Sequence, residues 1–425
     1  MSQADYEYLT KSQVNDYLKA KSIYPQNAQL NIRDLHAVKE SIDGFVNLIY
    51  HICDENGKSV VLKQIVNFPR SRAVEEAKYG VDEDLGNWTL DLARMRIEIS
   101  VLIFWNSIYP GICPEIYLFD EPNSIIVMED LIELSLLRYD LCRMNRQPLL
   151  ASCMGHFFAH NLFYSSDLHL THYKRQTLKK FFDNPEYTAL DCFLFEDCVI
   201  VSDSRTMPKE TWPLRKSILE NTAIQTEIKR LRHLFLNDKE CLIHTDLHAS
   251  NIMINTKKIK IIDTEFAGFG PIAQDFGRLT ASLCLNFFSW YGDPNYTEGE
   301  KAVFRAWILD AIDELYQTFE SEFQTLCAKY SDDSYSLRTL DIKTYLISHF
   351  QNSLSYTALN AASRIGDRGI CYDLERLSPE NRIYPDLLLL TMAKELLIHK
   401  DHYISVRDFT DYLRTLAFYH PPETY

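Results

Sequence analysis

Residues 242–271 read LIHTDLHASNIMINTKKIKIIDTEFAGFGP. Asp246 and Asn251 fall in a polar loop between apolar segments. NIMIN and KIKIID then flank a Thr-Lys-Lys turn, a pattern that predicts a short hairpin ending in Asp263. In an extended segment residues i and i+2 project to the same side, so Asp263 and Glu265 can converge on one cation. Magnesium bridging nucleotide phosphates wants such carboxylate oxygens plus a neutral amide like that of Asn251. Asp246 is then free to orient and deprotonate an attacking hydroxyl. One isolated aspartate would be read as a helix cap in a solvated loop. The ordered set is what points to chemistry.

Upstream, two charges fit the same reaction. FVNLIYHI (45–52) and KSVVLKQIV (58–66) are β-rich runs joined by an acidic loop ending in Asn56-Gly57, a hairpin signal. Lys63 shares a strand face with Val61 and Ile65, where an ammonium is expensive unless paired. LARMRIEISVLIFW (92–105) reads as an amphipathic helix, and Glu98 lies on its apolar face with Met95, Leu102 and Trp105. Each charge offers the other a partner, and a paired strand lysine can hold the α- and β-phosphates of ATP. Alone, either would be a snorkelling surface charge. The stretch Asp43-Gly44-Phe45-Val46-Asn47 could bring backbone N–H groups to phosphate, although an ordinary turn explains its single glycine equally well.

Two short strands follow, EIYLF (115–119) and SIIVM (124–128), so a small sheet with one helix occupies roughly 40–130. Residues 1–38 look helical and polar. Beyond Glu129-Asp130-Leu131 helical periods dominate: 149–164, 174–182, 216–236, 271–290, 299–327, 338–362 and 386–399. The fold class expected is therefore α+β, a small N-terminal sheet lobe (1–130) followed by a large, mainly helical C-terminal lobe (131–425).

Composition narrows the function. The 425 residues are 46% hydrophobic and 24% charged, which excludes a largely disordered chain. A balance of 44 Lys+Arg against 59 Asp+Glu gives a net charge of −15, a surface that repels nucleic acid and anionic lipid. Ten cysteines are irregularly spaced with no CxxC, the closest pair being Cys192 and Cys198, so zinc is not indicated. The start, MSQADYEYLT, has neither a basic nor an apolar stretch, so no signal peptide is expected and a reduced cytoplasm is the natural compartment. No apolar run approaches a membrane span.

Asp275-Phe276-Gly277 spells the magnesium motif of protein kinases literally. It falls 29 residues after Asp246 (275 − 246 = 29), inside a predicted helix, whereas Asp263 comes after 17 (263 − 246 = 17), at the end of a strand. Asp275 is therefore read as structural, bonding the backbone of the Asp246 loop.

The HxDxxxxN run (244–251) and the strand ending in Asp263 resemble the kinase-like aminoglycoside and choline phosphotransferases. The resemblance to the S-methyl-5-thioribose kinase family is closer and runs through nearly the whole chain. It is carried by SVVLKQ (59–64), TLDLARMRIE (89–98), PEIYLFDE (114–121), VMEDL (127–131), LFYSSDL (162–168), FFDNPE (181–186), IHTDLH (243–248) and IDTEFAGFGP (262–271). Most specific is Asp263-Thr264-Glu265, the family's DxE. The resemblance implies a protein-kinase-like bilobal fold and an ATP- and Mg²⁺-dependent kinase that phosphorylates the anomeric hydroxyl of S-methyl-5-thioribose in methionine salvage. In that reading Asp246 is the catalytic base, and Asp263, Glu265 and Asn251 hold Mg²⁺. Lys63, supported by Glu98, contacts the ATP phosphates with Asn47, and Met128, Glu129 and Leu131 form the adenine hinge. Trp88 closes on the sugar, with Arg364 and Asp246 binding it, and a homodimer is implied. Asn251 stands where the family usually has Ser. The stretch Ala362-Ser363-Arg364-Ile365-Gly366 keeps one arginine of an adjacent pair. A kinase for another 5-modified pentose or alcohol, and a non-catalytic nucleotide-binding protein, are the alternatives.

Overall fold

The computed structural model describes residues 8–35, 47–66, 90–196, 198–202, 206–330, 335–366 and 371–416. The chain divides into two compact units. The first comprises Met1–Glu133 with the short segments Asn184–Glu186 and Ile262–Glu265, and the second comprises the remainder.

The first unit is built on a five-stranded antiparallel sheet, order β1-β2-β3-β5-β4: β1 (Leu30–Asp34), β2 (Leu48–Asp54), β3 (Ser59–Gln64), β4 (Ile116–Asp120) and β5 (Ile125–Met128). The β2–β3 hairpin turns where Asn56-Gly57 predicts it. Gly57 takes φ +85°, and the Asp54 carboxylate accepts from Asn56 N (3.0 Å) and Lys58 N (2.8 Å). Alternation then sorts the side chains. Ile52, Val60, Leu62, Ile125 and Val127 share one core with Val14 and Leu18 of helix α1 (Lys11–Ala20). Ile65, Ile126 and Met128 share another with Met95 and Ile99 of helix α2 (Arg94–Ile108). Lys63, one residue from Leu62 and two from Ile65, therefore points to the α2 side. Each fully buried aliphatic side chain contributes roughly 2 kcal/mol. The expectation of helix over 1–38 needs correction: α1 is ten residues long, and β1 follows it as an edge strand.

The second unit is mainly helical. Its helices include α3 (Leu137–Leu141), α4 (Leu150–Ser165), α5 (His172–Phe181), α6 (Trp212–Leu219), α7 (Thr222–Asn237), α8 (Ile272–Ser289), α9 (Glu298–Lys329), α10 (Ile342–Ala362), α11 (Pro379–His399) and α12 (Val406–Leu416). The single helix expected over 216–236 is two, because Asn221 caps α7 through Ala223 N and Ile224 N. Every residue of α8 is buried, the mark of a central helix. Gly277 sits where α8 meets α10; a Cβ there would lie 2.5 Å from Tyr356 Cβ and 2.9 Å from Ser353 O. Short antiparallel pairs interrupt the helices. Cys241–Ile243 (β7) pairs with Gly268–Gly270 (β10), and Ile252–Ile254 (β8) pairs with Ile259–Ile261 (β9) and with Ser135–Leu136 (β6). The structure is thus mixed α+β, a small antiparallel sheet unit and a large helical one. Among the described residues no helix is long and apolar enough to cross a membrane.

Candidate active site

Within the first unit, alternation on β3 and helical spacing on α2 bring Lys63 and Glu98 together. Lys63 Nζ lies 2.7 Å from Glu98 Oε1 and 2.6 Å from Asp263 Oδ1. Glu265 Oε2 accepts from Asn47 Nδ2 (2.8 Å) and Arg94 Nε (3.0 Å), while Asn47 Oδ1 accepts from Arg94 Nη2 (2.9 Å). Thr264 Oγ1 donates to Glu98 O at 3.2 Å and fixes the segment that carries both acids. Asp263 adopts φ +63°, the left-handed region that aspartate tolerates better than most residues.

Three carboxylates thus face two cations. Burial opposes the Lys63 charge, but the pull of Asp263, Glu98 and Glu265 and the hydrogen bond it donates to Asp263 raise its pKa above the ordinary lysine value. Burial pushes Glu98 up to about 7 against the pull of Lys63, and Asp263 and Glu265 push the same way. Ligand atoms of Glu98, Asp263 and Glu265 lie within 4.8 Å of one another. Glu98 Oε2 and Glu265 Oε1 are buried and accept no hydrogen bond among the described residues. Two orphaned buried oxygens beside a partly exposed carboxylate are a donor set that fits a hard divalent cation. Glu98 enters this set although its sequence reading made it only the partner of Lys63.

Met128 ends β5. Glu129 N donates to Glu115 O (2.8 Å), Glu115 N returns a bond to Glu129 Oε2 (3.2 Å), and Leu131 is buried. Asp130 pairs with His51 at 3.0 Å. Trp88 and residues 43–46 lie outside the described residues.

In the second unit the loop 244–251 is held by α8. Asp275 accepts from His244 N and from Thr245 N (2.6 and 2.9 Å), the backbone role its position predicts. The literal DFG is accounted for by packing. Phe276 stacks on Phe158 with centroids 4.0 Å apart, and Gly277 is the close approach to α10. Thr245, at φ +71°, turns the chain into Asp246. Asn251 Nδ2 donates to Asp246 O at 2.8 Å, and Arg138 Nε donates to Ser250 Oγ at 2.6 Å.

The Asp246 side chain is surrounded by nitrogen. Arg278 Nη2 donates to Oδ1, Arg364 Nη2 lies 3.8 Å from the same oxygen, and His248 Nε2 lies 3.4 Å from Oδ2. Burial would raise this carboxyl. The charges of Arg278, His248 and Arg364 and the close approach of the His248 ring overrule it and hold the pKa well below the carboxylate range. His248 is itself driven down to about 4, mainly by burial, so the ionic hold at neutral pH comes from the arginines. Ser250 N donates to His248 Nδ1 (3.1 Å), which leaves the ring proton on Nε2, facing Asp246. Burial and the neighbouring Arg278 bring Arg364 down to about 10, against the pull of Asp246.

Arg94 and Arg278 are the charged residues the sequence reading passed over. Arg94 could have been found as the i−4 neighbour of Glu98 in an apolar run. Arg278 follows Asp275 by three positions on the same helix face, but only the tertiary structure shows what it reaches.

The model of the phosphotransferase enzyme family matches residues 203–311. The methylthioribose kinase of Bacillus velezensis is 32% identical over 290 residues, 68% of this chain and 69% of that one. The methylthioribose kinase of Geobacillus kaustophilus is 28% identical over 376 residues, covering 88% and 89%. Among solved structures, choline kinase from Cryptosporidium parvum Iowa II is similar with a TM-score of 0.46 at 11% identity, covering 96% of this chain and 100% of that one. A glucosamine kinase in complex with glucosamine, ADP and inorganic phosphate gives a TM-score of 0.43 at 15% identity, covering 90% and 83%. The protein is a phosphotransferase, a kinase of small molecules. The chain belongs to the methylthioribose kinase family.

Proposed function

We propose that this kinase transfers the γ-phosphoryl of ATP to the anomeric hydroxyl of S-methyl-5-thioribose, giving the sugar 1-phosphate and ADP in methionine salvage. The observation that carries the substrate is the 32% identity to a methylthioribose kinase over 68% of this chain. The ion pair of Lys63 with Glu98 and Asp263 supports the nucleotide part of the reading.

Lys63 binds the ATP phosphates as a point charge, with Asn47 beside it, and Met128, Glu129 and Leu131 meet the adenine. Asp263 and Glu265, with Asn251, would hold Mg²⁺, which when bound supplies neutralisation of charge on the transferring phosphoryl. Asp246 accepts the hydrogen bond of the acceptor hydroxyl and orients it. The acceptor oxygen then bonds to the γ-phosphorus as the bond to the ADP oxygen breaks, and the hydroxyl proton leaves by way of Asp246. Its depressed pKa makes Asp246 a positioning anion more than a strong base, which suits a loose transition state needing little proton abstraction beforehand. Arg364 binds the sugar or the transferring phosphoryl. Cytoplasmic location fits the nine free cysteines among the described residues. The homodimer implied by resemblance is checked by sedimentation.

The test is a coupled ADP-release assay comparing 5-methylthioribose, 5-deoxyribose and ribose. A clear preference in kcat/KM for 5-methylthioribose is expected. Preference for another acceptor would replace the substrate, and the single arginine at 364–365 is the feature that would then explain it.

A further inference from the structure

A carboxylate presents two equivalent oxygens, and rotation about the last side-chain bond exchanges them unless something distinguishes them. Asp246 is not left symmetric. Arg278 donates to Oδ1, while His248 approaches Oδ2 at 3.4 Å, longer than a good hydrogen bond.

Arg278 is itself held rigidly. Its Nη1 donates to Asn360 Oδ1 at 2.7 Å. Asn360 Nδ2 donates to Gln274 Oε1 (3.2 Å) and to Tyr356 O (2.8 Å), and Gln274 Nε2 donates to Thr245 O (3.3 Å). The chain of bonds closes on the residue preceding Asp246. Gln274, Asn360 and Arg278 are all buried, so these bonds compete with little water. Gly277 permits the contact, because any larger residue there would hold α10, and Asn360 with it, away from α8. Arg364 differs: its side chain is 24% exposed against 5% for Arg278, so it keeps a face for a ligand.

We propose that Arg278 is a positioning residue for phosphoryl transfer: seated by Asn360 and Gln274, it fixes Oδ1 of Asp246 so that Oδ2 is the oxygen presented to the acceptor hydroxyl. The proposal rests on Asp246 being the group that receives that hydroxyl. Arg278 acts only through this carboxylate, and Arg364 remains the arginine that meets the ligand. The neighbouring Asp275 does not compete, since it is taken by two backbone N–H groups.

Steady-state kinetics with Mg²⁺-ATP and 5-methylthioribose test this in Arg278→Ala and Arg278→Lys, with thermal unfolding followed in parallel. A misplaced Asp246 is expected to lower kcat about 100-fold in Arg278→Ala. Both KM values stay near wild type, added guanidinium ion restores part of kcat, and Arg278→Lys falls in between. Unchanged kcat in folded Arg278→Ala overturns the proposal. So does a loss confined to the KM of the sugar, which would put Arg278 on the substrate, or a loss that neither guanidinium nor lysine repairs, which would make its role merely structural. If Arg278→Ala does not fold, the Arg278→Lys kcat decides by the same criteria. A wild-type chain with no sugar-dependent ADP release contradicts the proposed function instead, and the variants are then compared on ATP hydrolysis, in which water takes the acceptor's place at Asp246.

Discussion

The two charged clusters of this protein have opposite balances. In the first unit, Glu98, Asp263 and Glu265 outnumber Lys63 and Arg94, and two buried carboxylate oxygens find no donor among the described residues. In the second, one carboxylate, Asp246, is approached by two guanidiniums. An excess of buried negative charge is costly until a cation joins it. An excess of positive charge around one acid keeps that acid ionised and favours further anionic oxygen nearby. The same residue type therefore stands in opposite surroundings: the acids of the first unit form a donor set that fits a cation, and Asp246, in the proposed reaction, accepts and orients the hydroxyl.

The comparison can be broken by exchanging acids for amides. Asp246→Asn should have the largest effect, lowering kcat by about 1,000-fold while the KM for ATP stays near normal, because the acceptor loses its anion and the nucleotide loses nothing. Equal loss of ATP affinity, seen by direct binding, would place Asp246 among the nucleotide contacts. Asp263→Asn should cost less, about 100-fold, with an increased Mg²⁺ requirement in a metal titration. A metal dependence identical to wild type would remove Asp263 from the ligand set.

His349 sharpens the comparison by being a buried ionisable group that pairs with no charged side chain among the described residues. It packs against Phe276 and Phe319, its Nε2 finds no donor or acceptor among the described residues, and burial drives its pKa down to about 3. A base whose pKa is lower in the folded than in the unfolded state is protonated first in the unfolded chain. Its stability is complete above the unfolded value, near 6.5, and is lost as pH falls toward the folded value. Between pH 7 and pH 5 this group alone should account for about 2 kcal/mol, at 1.36 kcal/mol per pKa unit. Denaturant unfolding of wild type and His349→Phe at the two pH values measures it. Parallel losses in both proteins would assign the acid sensitivity elsewhere.

Much of both clusters could be read from the sequence because each charge broke a local pattern. Lys63 interrupted an apolar strand face, Glu98 an apolar helix face, and Asp263 and Glu265 stood two apart after a strand. Asp275 was separated from its kinase namesake by counting residues. What could not be read depended on which elements meet. Arg278 is an ordinary helix residue until Asn360, 82 positions later, is packed against it. The edge strand β1 carries the mixed pattern of a half-exposed strand, with burial only at Ile32. Helix α11 begins at Pro379, seven residues before the start expected from its periodicity. Pro385 argues against a continuous helix there, yet the chain runs through it, with Asn381 O lying where a Cβ on Gly292 would come within 2.1 Å.

The most direct measurement is ³¹P NMR of the reaction of the wild-type protein with ATP, Mg²⁺ and 5-methylthioribose, repeated with Asp246→Asn. A sugar phosphate split by the anomeric proton, formed in step with ADP by wild type and nearly absent with the variant, is the result expected. No sugar phosphate from wild type, or equal amounts from both proteins, would contradict the account.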